Sequence, residues 1–290
     1  MAWVPPPSNL ISPVALTARV RRYAHAKPGF LALPDKGLSV SWFVSTVLLT
    51  SVGFYMWPHA FSATYTAKSA DVLRRNAAIM PLYQLVLLFV FFTGFAAVLQ
   101  VPGLTGADAD LSLLRISKQS FSPWTVGFIG AAGLLTALVP GSMILLTAST
   151  ILTKNLYRLF APSSDDARLA LVAKLGVPVF GLAAALITLK GGTAIVPLLL
   201  MGYSLVTQLA PSLLLSLGER PLATSAGVIA GLLTGEAVVL WLSFGGVTLA
   251  KLFPSWPAAV TDLNVGIVAL VANMGVLAAV SLATTPKRPA

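Results

Sequence analysis

Long apolar runs separated by short polar segments recur along the chain from about residue 39 onward. A helix needs about 20 mostly apolar residues to cross a bilayer, and about seven runs meet that requirement. They lie at residues 40–66, 77–99, 124–152, 168–189, 193–217, 221–244 and 263–283. The pattern therefore predicts an all-α fold, a polytopic bundle of transmembrane helices that occupies residues 39–284.

The first run is interrupted near its middle. Apolar residues from Trp42 to Trp57 include Gly53 and are followed directly by Pro58 and His59. Proline has no N–H to donate and clashes with the preceding turn, so we expect a discontinuous helix here. Backbone freed at membrane depth is tolerated only where it is buried in protein or lines a wet cavity. Spans broken by glycine and proline are the strongest sequence indication of a transporter's substrate site.

The residues around this interruption can bind a small anion. Proline is well accommodated at the first position of a helix. If a second half-helix begins at Pro58, its free N–H groups favour negative charge. His59 adds a donor, or a group that titrates with a coupling proton. The alternative is a proline kink with a buried, hydrogen-bonded histidine and no ligand. The candidate substrate-binding residues are Gly53, Tyr55, Trp57, Pro58, His59 and Ser62.

The stretch from Leu49 to Asn76 also resembles a known family. Its P-H pair, followed by T-A-K-S, R-R-N-A and P-L-Y, is similar to the first span of the second repeat in the sodium:solute symporters, which have the LeuT-type fold. The similarity is closest to the monocarboxylate permeases and runs from about Arg21 to the C-terminus. It implies a second inverted repeat with a discontinuous first span. It also implies symport of a small monocarboxylate such as lactate, pyruvate or acetate by alternating access, coupled to Na⁺ or H⁺. Proline, another amino acid or pantothenate is the alternative solute.

The third run carries candidate ion ligands through the same resemblance. Its end, T-K-N-L-Y-R, is similar to the family's third span. Sodium-dependent members have two adjacent hydroxyl residues upstream that help bind the ion, and Val139 and Pro140 occupy those positions here. The monocarboxylate permeases are similar in lacking the pair. Carbonyls left unpaired by Pro140, near Thr136, could still coordinate a hard cation. Ser142 and Ser149, seven residues apart on one face, form an alternative polar track. These hydroxyls could equally bond back to their own helix.

Other polar or small residues inside the spans are predicted to pack helices together. Glycines spaced four apart in the sixth run allow close helix approach; they are Gly227, Gly231 and Gly235. Asn264 and Asn273 in the last run are interpreted as contacts between helices. Glu236 is costly inside a membrane, and proton coupling and a structural hydrogen bond both remain open for it. The loop 100–122 is expected to form a short surface helix, and the loop 247–262 to lie at the interface.

Composition supports a multi-pass protein of the cell (inner) membrane. The 290 residues are 57% hydrophobic and 10% charged, whereas soluble domains average about a quarter charged residues. The net charge is +10, and the basic residues lie mostly at the ends of spans. The positive-inside rule for membrane proteins therefore explains this charge better than nucleic-acid binding does. With no cysteine and two histidines, neither a thiolate metal site nor an intramembrane enzyme is expected. We therefore expect no cofactor, and as partners the lipid bilayer and a small anionic solute.

The segments outside the spans raise a question of topology. Residues 1–38 are predicted to be an extramembrane loop with a short interfacial helix at Val14–Tyr23, and residues 285–290 a cytoplasmic tail. Most basic residues of the loops after residue 40 fall on one side of the seven spans, which places that side and the C-terminus in the cytoplasm. Seven spans then place the basic segment before residue 40 outside the cell, against the positive-inside rule. We therefore interpret residues 1–40 as an internal loop of a longer protein, and the chain as the C-terminal half of a transporter. A partial gene, a wrongly assigned start or a split gene explains this equally, and a split gene would make a separately encoded N-terminal half a further partner. The rival interpretation is a non-transporting or degenerate subunit that needs a partner half.

Overall fold

The computed structural model of the protein describes residues 17, 18, 21, 34–101, 103–191, 195–218 and 222–284. These residues form helices and loops and contain no β-strand, which confirms the all-α prediction. Within these described ranges, seven helical segments are long and apolar enough to cross a membrane, as predicted. They are Val40–Ser62, Ala70–Val98, Pro123–Phe160, Asp166–Leu189, Ile195–Ser216, Ser225–Phe244 and Val265–Thr284.

The first span is discontinuous, as the proline predicts. It consists of α1 (Val40–Phe54) and α2 (Pro58–Tyr65), separated by three non-helical residues, Tyr55 to Trp57. The second span consists of α3 (Ala70–Gln84) and α4 (Leu87–Gln100). Between these two helices Leu85 N donates to Leu82 O at 3.2 Å and Val86 N to Tyr83 O at 3.1 Å. Such i→i−3 bonds tighten a helix without breaking it, so the second span differs from the first.

Two predicted boundaries were wrong. The second span begins seven residues before position 77, because the Ser69 side chain accepts a hydrogen bond from Val72 N and caps a polar first turn. The third span extends past position 152 through a π-helical turn, Thr153–Tyr157, into α7 (Arg158–Phe160). The predicted helix at Val14–Tyr23 is described only at residues 17, 18 and 21, which are helical. The rest of that helix, residues 219–221 and the predicted tail at 285–290 lie outside the described residues.

The described residues form two compact units. The first comprises residues from Ser62 to Ile195, and the second those of Leu31–Phe61 and Val196–Ala290. The first unit contains α3, α4, a 3₁₀ turn at Gly106–Leu111, α5 (Ser112–Ser120), α6 (Pro123–Leu152), α7 and α8 (Asp166–Gly191). The second contains α1, α9 (Ile195–Val206), a 3₁₀ turn at Thr207–Leu209, α10 (Ala210–Ser216), α11 (Ser225–Phe244), α12 (Leu249–Leu252), α13 (Ala258–Thr261) and α14 (Val265–Thr284).

In the first unit, α6 packs closely on α8. The buried Ser149 Oγ donates to Ala173 O at 2.6 Å, and a Cβ added to Gly176 would overlap that hydroxyl. Ser149 therefore joins two helices, whereas Ser142, its predicted partner in a polar track, is exposed on α6. The loop before α6 forms the predicted surface helix, where Arg115 pairs with Asp108 at 2.6 Å.

In the second unit, the glycines of α11 lie against α14. A Cβ on Gly231 would lie 2.7 Å from Asn273 Oδ1 and from Leu277 Cβ. A Cβ on Gly227 would lie 2.8 Å from Leu277 O. Side chains at these positions would push the two helices apart, so the predicted glycine packing is confirmed. The core of this unit includes Val239, which is fully buried.

Candidate functional site

The interruption of the first span has a defined hydrogen-bond pattern. Met56 N donates to Gly53 O at 3.0 Å and closes the last turn of α1. The bond from Phe61 N to Trp57 O, at 3.0 Å, opens α2, and Pro58 occupies its first helical position. The N–H groups of His59 and Ala60 precede this bond, and neither donates to a backbone carbonyl of the preceding turn among the described residues. The second half-helix therefore presents a partially positive end at the interruption.

Gly53 and Trp57 fit against the fifth span of the same unit. Gly53 is buried; a Cβ there would overlap Thr207 Oγ1 and lie 3.0 Å from Tyr203 Cδ1. The Trp57 ring meets the Tyr203 ring edge to face, with centroids 5.6 Å apart and planes at 89°. A Cβ on Gly202 would lie 3.0 Å from Trp57 Cη2. Small residues on both segments thus let the interrupted backbone approach the fifth span closely.

The other predicted substrate residues are distributed around this contact. His59 is half-buried and its ring centroid lies 5.6 Å from that of Trp57, with the planes at 51°. Tyr55 is 62% exposed and contacts Phe54 edge to face. Ser62 is exposed and belongs to the first unit. Within the second unit the structure therefore brings together Gly53, Trp57, Pro58 and His59, and Tyr55 remains open to its surroundings. That these residues bind a solute stays a prediction.

Sequence reasoning missed the part that the fifth span contributes. Thr207 Oγ1 donates to Tyr203 O at 2.6 Å and lies 3.4 Å from Leu49 O. Thr207 begins the 3₁₀ turn that separates α9 from α10, so the fifth span is irregular next to Gly53. The polar pair Thr207 and Gln208, three residues before Pro211 in an apolar run, was the available signal.

A buried amide network holds the irregular fifth span to the last span. Gln208 Nε2 donates to Ser204 O at 2.9 Å and to Gly266 O at 3.2 Å. Asn273 Nδ2 donates to Gln208 O at 2.8 Å. At the start of the last span, Asn264 Nδ2 donates to Thr46 Oγ1 on α1 at 2.9 Å. Both asparagines are thus contacts between helices, as predicted, and they fix the elements on which the interruption depends.

The candidate ion residues all lie on α6 in the first unit. Thr136 Oγ1 donates to Ala132 O, and Ser142 Oγ to Val139 O, each at 2.8 Å. Val139 is 65% exposed, and α6 continues through Pro140 without a break. Because Pro140 has no N–H, the Thr136 carbonyl lacks its usual helical donor. The hydroxyls of Thr136 and Ser142 thus bond back to their own helix. The Thr136 carbonyl is the candidate ion ligand that remains, and ion binding here stays a prediction.

Acidic and histidine side chains are scattered over the part of the chain that the structure describes. No group of three or more histidine, aspartate or glutamate residues there could hold a metal ion. Glu236 is half-buried on α11, beside the Gly235 that packs on Gln208. A carboxylate in this position leaves both predicted roles for Glu236 open.

Taken together, these features define a polytopic membrane protein with a discontinuous span, and comparison with known proteins identifies its class. The chain is 59% identical over 265 residues to the uncharacterized symporter YhjB of Bacillus subtilis, covering 91% of this chain and 54% of the relative. It is 26% identical over 257 residues to a monocarboxylate transport permease protein of Rhizobium johnstonii, covering 85% and 50%. It is 24% identical over 233 residues to the sodium/proline symporter of Escherichia coli, covering 76% and 46%. No protein-family model and no solved structure matches the chain.

The chain belongs to the sodium:solute symporter family, which confirms the resemblance drawn from its first and third spans. It spans about half the length of the curated relatives it matches. The interpretation that another half is encoded separately stays a prediction.

Proposed function

We propose that this chain forms part of a secondary active solute:cation symporter of the cell membrane, and that the interruption of its first span holds the solute. The observation that carries this proposal is the pairing of the non-helical segment Tyr55 to Trp57 with the irregular fifth span. A helix interrupted at membrane depth exposes backbone that needs a partner. A bound solute supplies that partner during each transport cycle, as one bundle of helices rocks against the other around a central site.

The chemistry of the interruption favours a small carboxylate. Two free N–H groups at the start of α2 and the positive end of its dipole attract an anion. His59 adds a ring donor, and Trp57 with Tyr203 supplies an apolar wall. Lactate, pyruvate and acetate each combine one carboxylate with a short apolar body. Proline also carries a carboxylate, and relatives are named for both solute classes, so the carboxylate is the group that we assign to the N-terminus of α2.

We propose Na⁺ as the coupling ion, with H⁺ as the alternative that the experiment tests. A sodium/proline symporter is among the relatives, and the Thr136 carbonyl freed by Pro140 is a hard oxygen ligand of the kind Na⁺ prefers. His59 is the group on this chain that would respond to a proton gradient instead.

Solute uptake into vesicles tests this proposal. The chain is assayed alone, and also in place of the matching segment of YhjB, with labelled lactate and labelled proline under a sodium gradient or a proton gradient. The test variants are Trp57→Ala and His59→Ala. The control variant is Phe43→Ala, because Phe43 is an exposed aromatic residue on α1. Uptake by all variants is compared at equal amounts of membrane-inserted protein.

We expect sodium-driven uptake of one solute, reduced up to about tenfold by Trp57→Ala and unchanged by Phe43→Ala. The loss of one aromatic contact costs up to about 1.5 kcal/mol, and about 1.4 kcal/mol corresponds to tenfold. Uptake that survives both Trp57→Ala and His59→Ala would show that the solute binds elsewhere. Uptake by neither form of the protein would favour the non-transporting subunit.

A further inference from the structure

A cavity of about 470 Å³ opens at one end of the second unit. Its walls come from the residues before α1, the end of α11 and the loop that carries α12 and α13. The lining residues that matter here are Lys36, Trp42, Phe253, Trp256 and Asp262. None of the residues around the interruption of the first span, from Gly53 to His59, lines this cavity. Its size suits a small organic molecule.

Asp262 brings an unsatisfied carboxylate to this cavity. It follows α13 directly, and its backbone N–H donates to Ala258 O at 2.9 Å. Its Oδ2 atom is buried and receives no hydrogen bond from any residue that the structure describes. A buried acceptor without a donor is costly, because it has lost water and gained nothing in exchange. A donor from a ligand, above all a charged one, would remove that cost.

Lys36 also lines the cavity and forms no ion pair with Asp262. Among the described residues the ion pairs within 4 Å are Arg74 with Asp71 and Arg115 with Asp108, so the Lys36 ammonium and the Asp262 carboxylate remain apart. The neighbouring Lys251 is already engaged, because its Nζ donates to Gly246 O at 3.2 Å. One ammonium and one carboxylate thus share a cavity without neutralising each other.

The remaining wall is aromatic. The rings of Phe253 and Trp256 stack with centroids 4.2 Å apart and planes at 15°, and Trp42 lines the same cavity. Aromatic faces bury apolar side chains and also attract ammonium groups. The stack therefore suits a molecule that has an apolar body and a cationic group close to it.

We propose that this cavity binds a zwitterionic α-amino acid with an apolar side chain. The ligand's ammonium donates to the Asp262 carboxylate, its carboxylate accepts from the Lys36 ammonium, and its side chain packs on Trp256. A simple monocarboxylate would leave Asp262 unsatisfied, and a simple amine would leave Lys36 unsatisfied. This site goes beyond the transport proposal, because it uses other residues and another part of the second unit.

Equilibrium binding to the full chain in lipid nanodiscs tests the assignment. Three probes share one carbon skeleton: leucine, isocaproate, which lacks the ammonium, and isopentylamine, which lacks the carboxylate. Binding is followed by calorimetry and by tryptophan fluorescence, with Trp256→Phe to identify the optical signal. We expect leucine to bind at least about tenfold more tightly than either analogue, because each analogue loses one charge-assisted hydrogen bond.

The variants separate the two charges. Asp262→Asn is expected to lower the affinity for leucine about tenfold and to leave the affinity for isocaproate unchanged. Lys36→Gln should leave the affinity for isopentylamine unchanged. Asp35 is an exposed carboxylate next to Lys36 in the sequence. Asp35→Asn is therefore the matched control, and it should leave the affinity for all three probes unchanged. The proposal would be overturned if the unmodified chain bound all three probes with equal affinity, or if it did not bind leucine. Both results come from the unmodified chain, so they do not depend on whether a variant folds.

Failure of this site can be told apart from failure of the transport site. Trp57→Ala should reduce uptake up to about tenfold and leave leucine binding to this cavity unchanged. Leucine binding lost in Trp57→Ala but retained in Asp262→Asn would place the amino acid at the interruption instead and refute the assignment of this cavity.

Discussion

Gly53→Ala is the smallest change that tests how the interrupted span is packed. A Cβ at this position overlaps Thr207 Oγ1 and lies 3.0 Å from Tyr203 Cδ1. Both neighbours belong to the fifth span, which the amide network around Gln208 holds in place. Overpacking of this kind costs about 1–3 kcal/mol. The gain in helix propensity from glycine to alanine, about 1 kcal/mol, offsets only part of that cost at the last turn of α1. We therefore expect a net loss of up to about 2 kcal/mol in the free energy of unfolding, and a loss near the upper end of that range because the added Cβ overlaps Thr207 Oγ1.

Thr207→Ala turns this expectation into a double-mutant cycle. Alone it removes the Thr207 Oγ1 bond to Tyr203 O, of 2.6 Å, and such bonds within membranes average about 0.6 kcal/mol. In the Gly53→Ala background it also removes the overlapping atom. The double variant should therefore be more stable than Gly53→Ala by about 1 kcal/mol, a coupling of the size seen between residues in contact.

Unfolding of the purified protein in mixed detergent micelles measures these differences. Gly275→Ala on α14 is the control, because no heavy atom lies within 4 Å of a Cβ there; we expect it to be neutral or slightly stabilising. If Gly53→Ala is as stable as the unmodified chain, or if Thr207→Ala fails to restore stability to it, the close approach of the first and fifth spans is wrong.

Three further outcomes follow from the structure. Asn273→Ala leaves the buried Gln208 carbonyl without its donor at 2.8 Å, so the free energy of unfolding measured in micelles should fall by about 1–2 kcal/mol. An unchanged free energy of unfolding would mean that the amide network is not formed. Pro140→Ala supplies an N–H to the Thr136 carbonyl, so the sodium concentration for half-maximal uptake should rise several-fold if that carbonyl binds the ion; an unchanged value removes it from the ion site. Arg115→Ala breaks a pair at 2.6 Å that is solvent-exposed, so stability should change by less than about 1 kcal/mol, and a larger loss would show that the pair is shielded from solvent.

The elements that local chemistry determines could be predicted from the sequence. Pro58 places the interruption because it cannot donate a bond and because it begins a helix well. The glycines of α11 predict close packing because their spacing puts them on one face. In both cases the cause lies within a few residues of the effect, and the structure confirms the prediction.

The contacts that depend on the register between distant segments could not be predicted. Thr207 lies against Gly53 although 154 positions separate them along the chain, and nothing near either residue specifies the other. The second span's tight turn at Leu85 also escaped prediction, although Pro81 lies one turn before it and the polar Gln84 precedes it directly. Neither residue shows from the local sequence alone whether the helix breaks there or only tightens. The same limit applies to solute and ion ligands, since they are brought together by packing between spans.

Site-directed labelling at Trp57 tests the central claim most directly, namely that the interruption of the first span holds the solute. The chain has no cysteine, so Trp57→Cys introduces a single reactive thiol next to Tyr203, and Phe43→Cys places one on the exposed side of α1 as a control. The rate of reaction with a small charged thiol reagent is measured with and without saturating lactate or proline. We predict that one of these solutes slows labelling of Trp57→Cys at least about fivefold, because a bound solute covers the thiol, and leaves Phe43→Cys unchanged. Labelling at Trp57→Cys that neither solute slows would contradict the account.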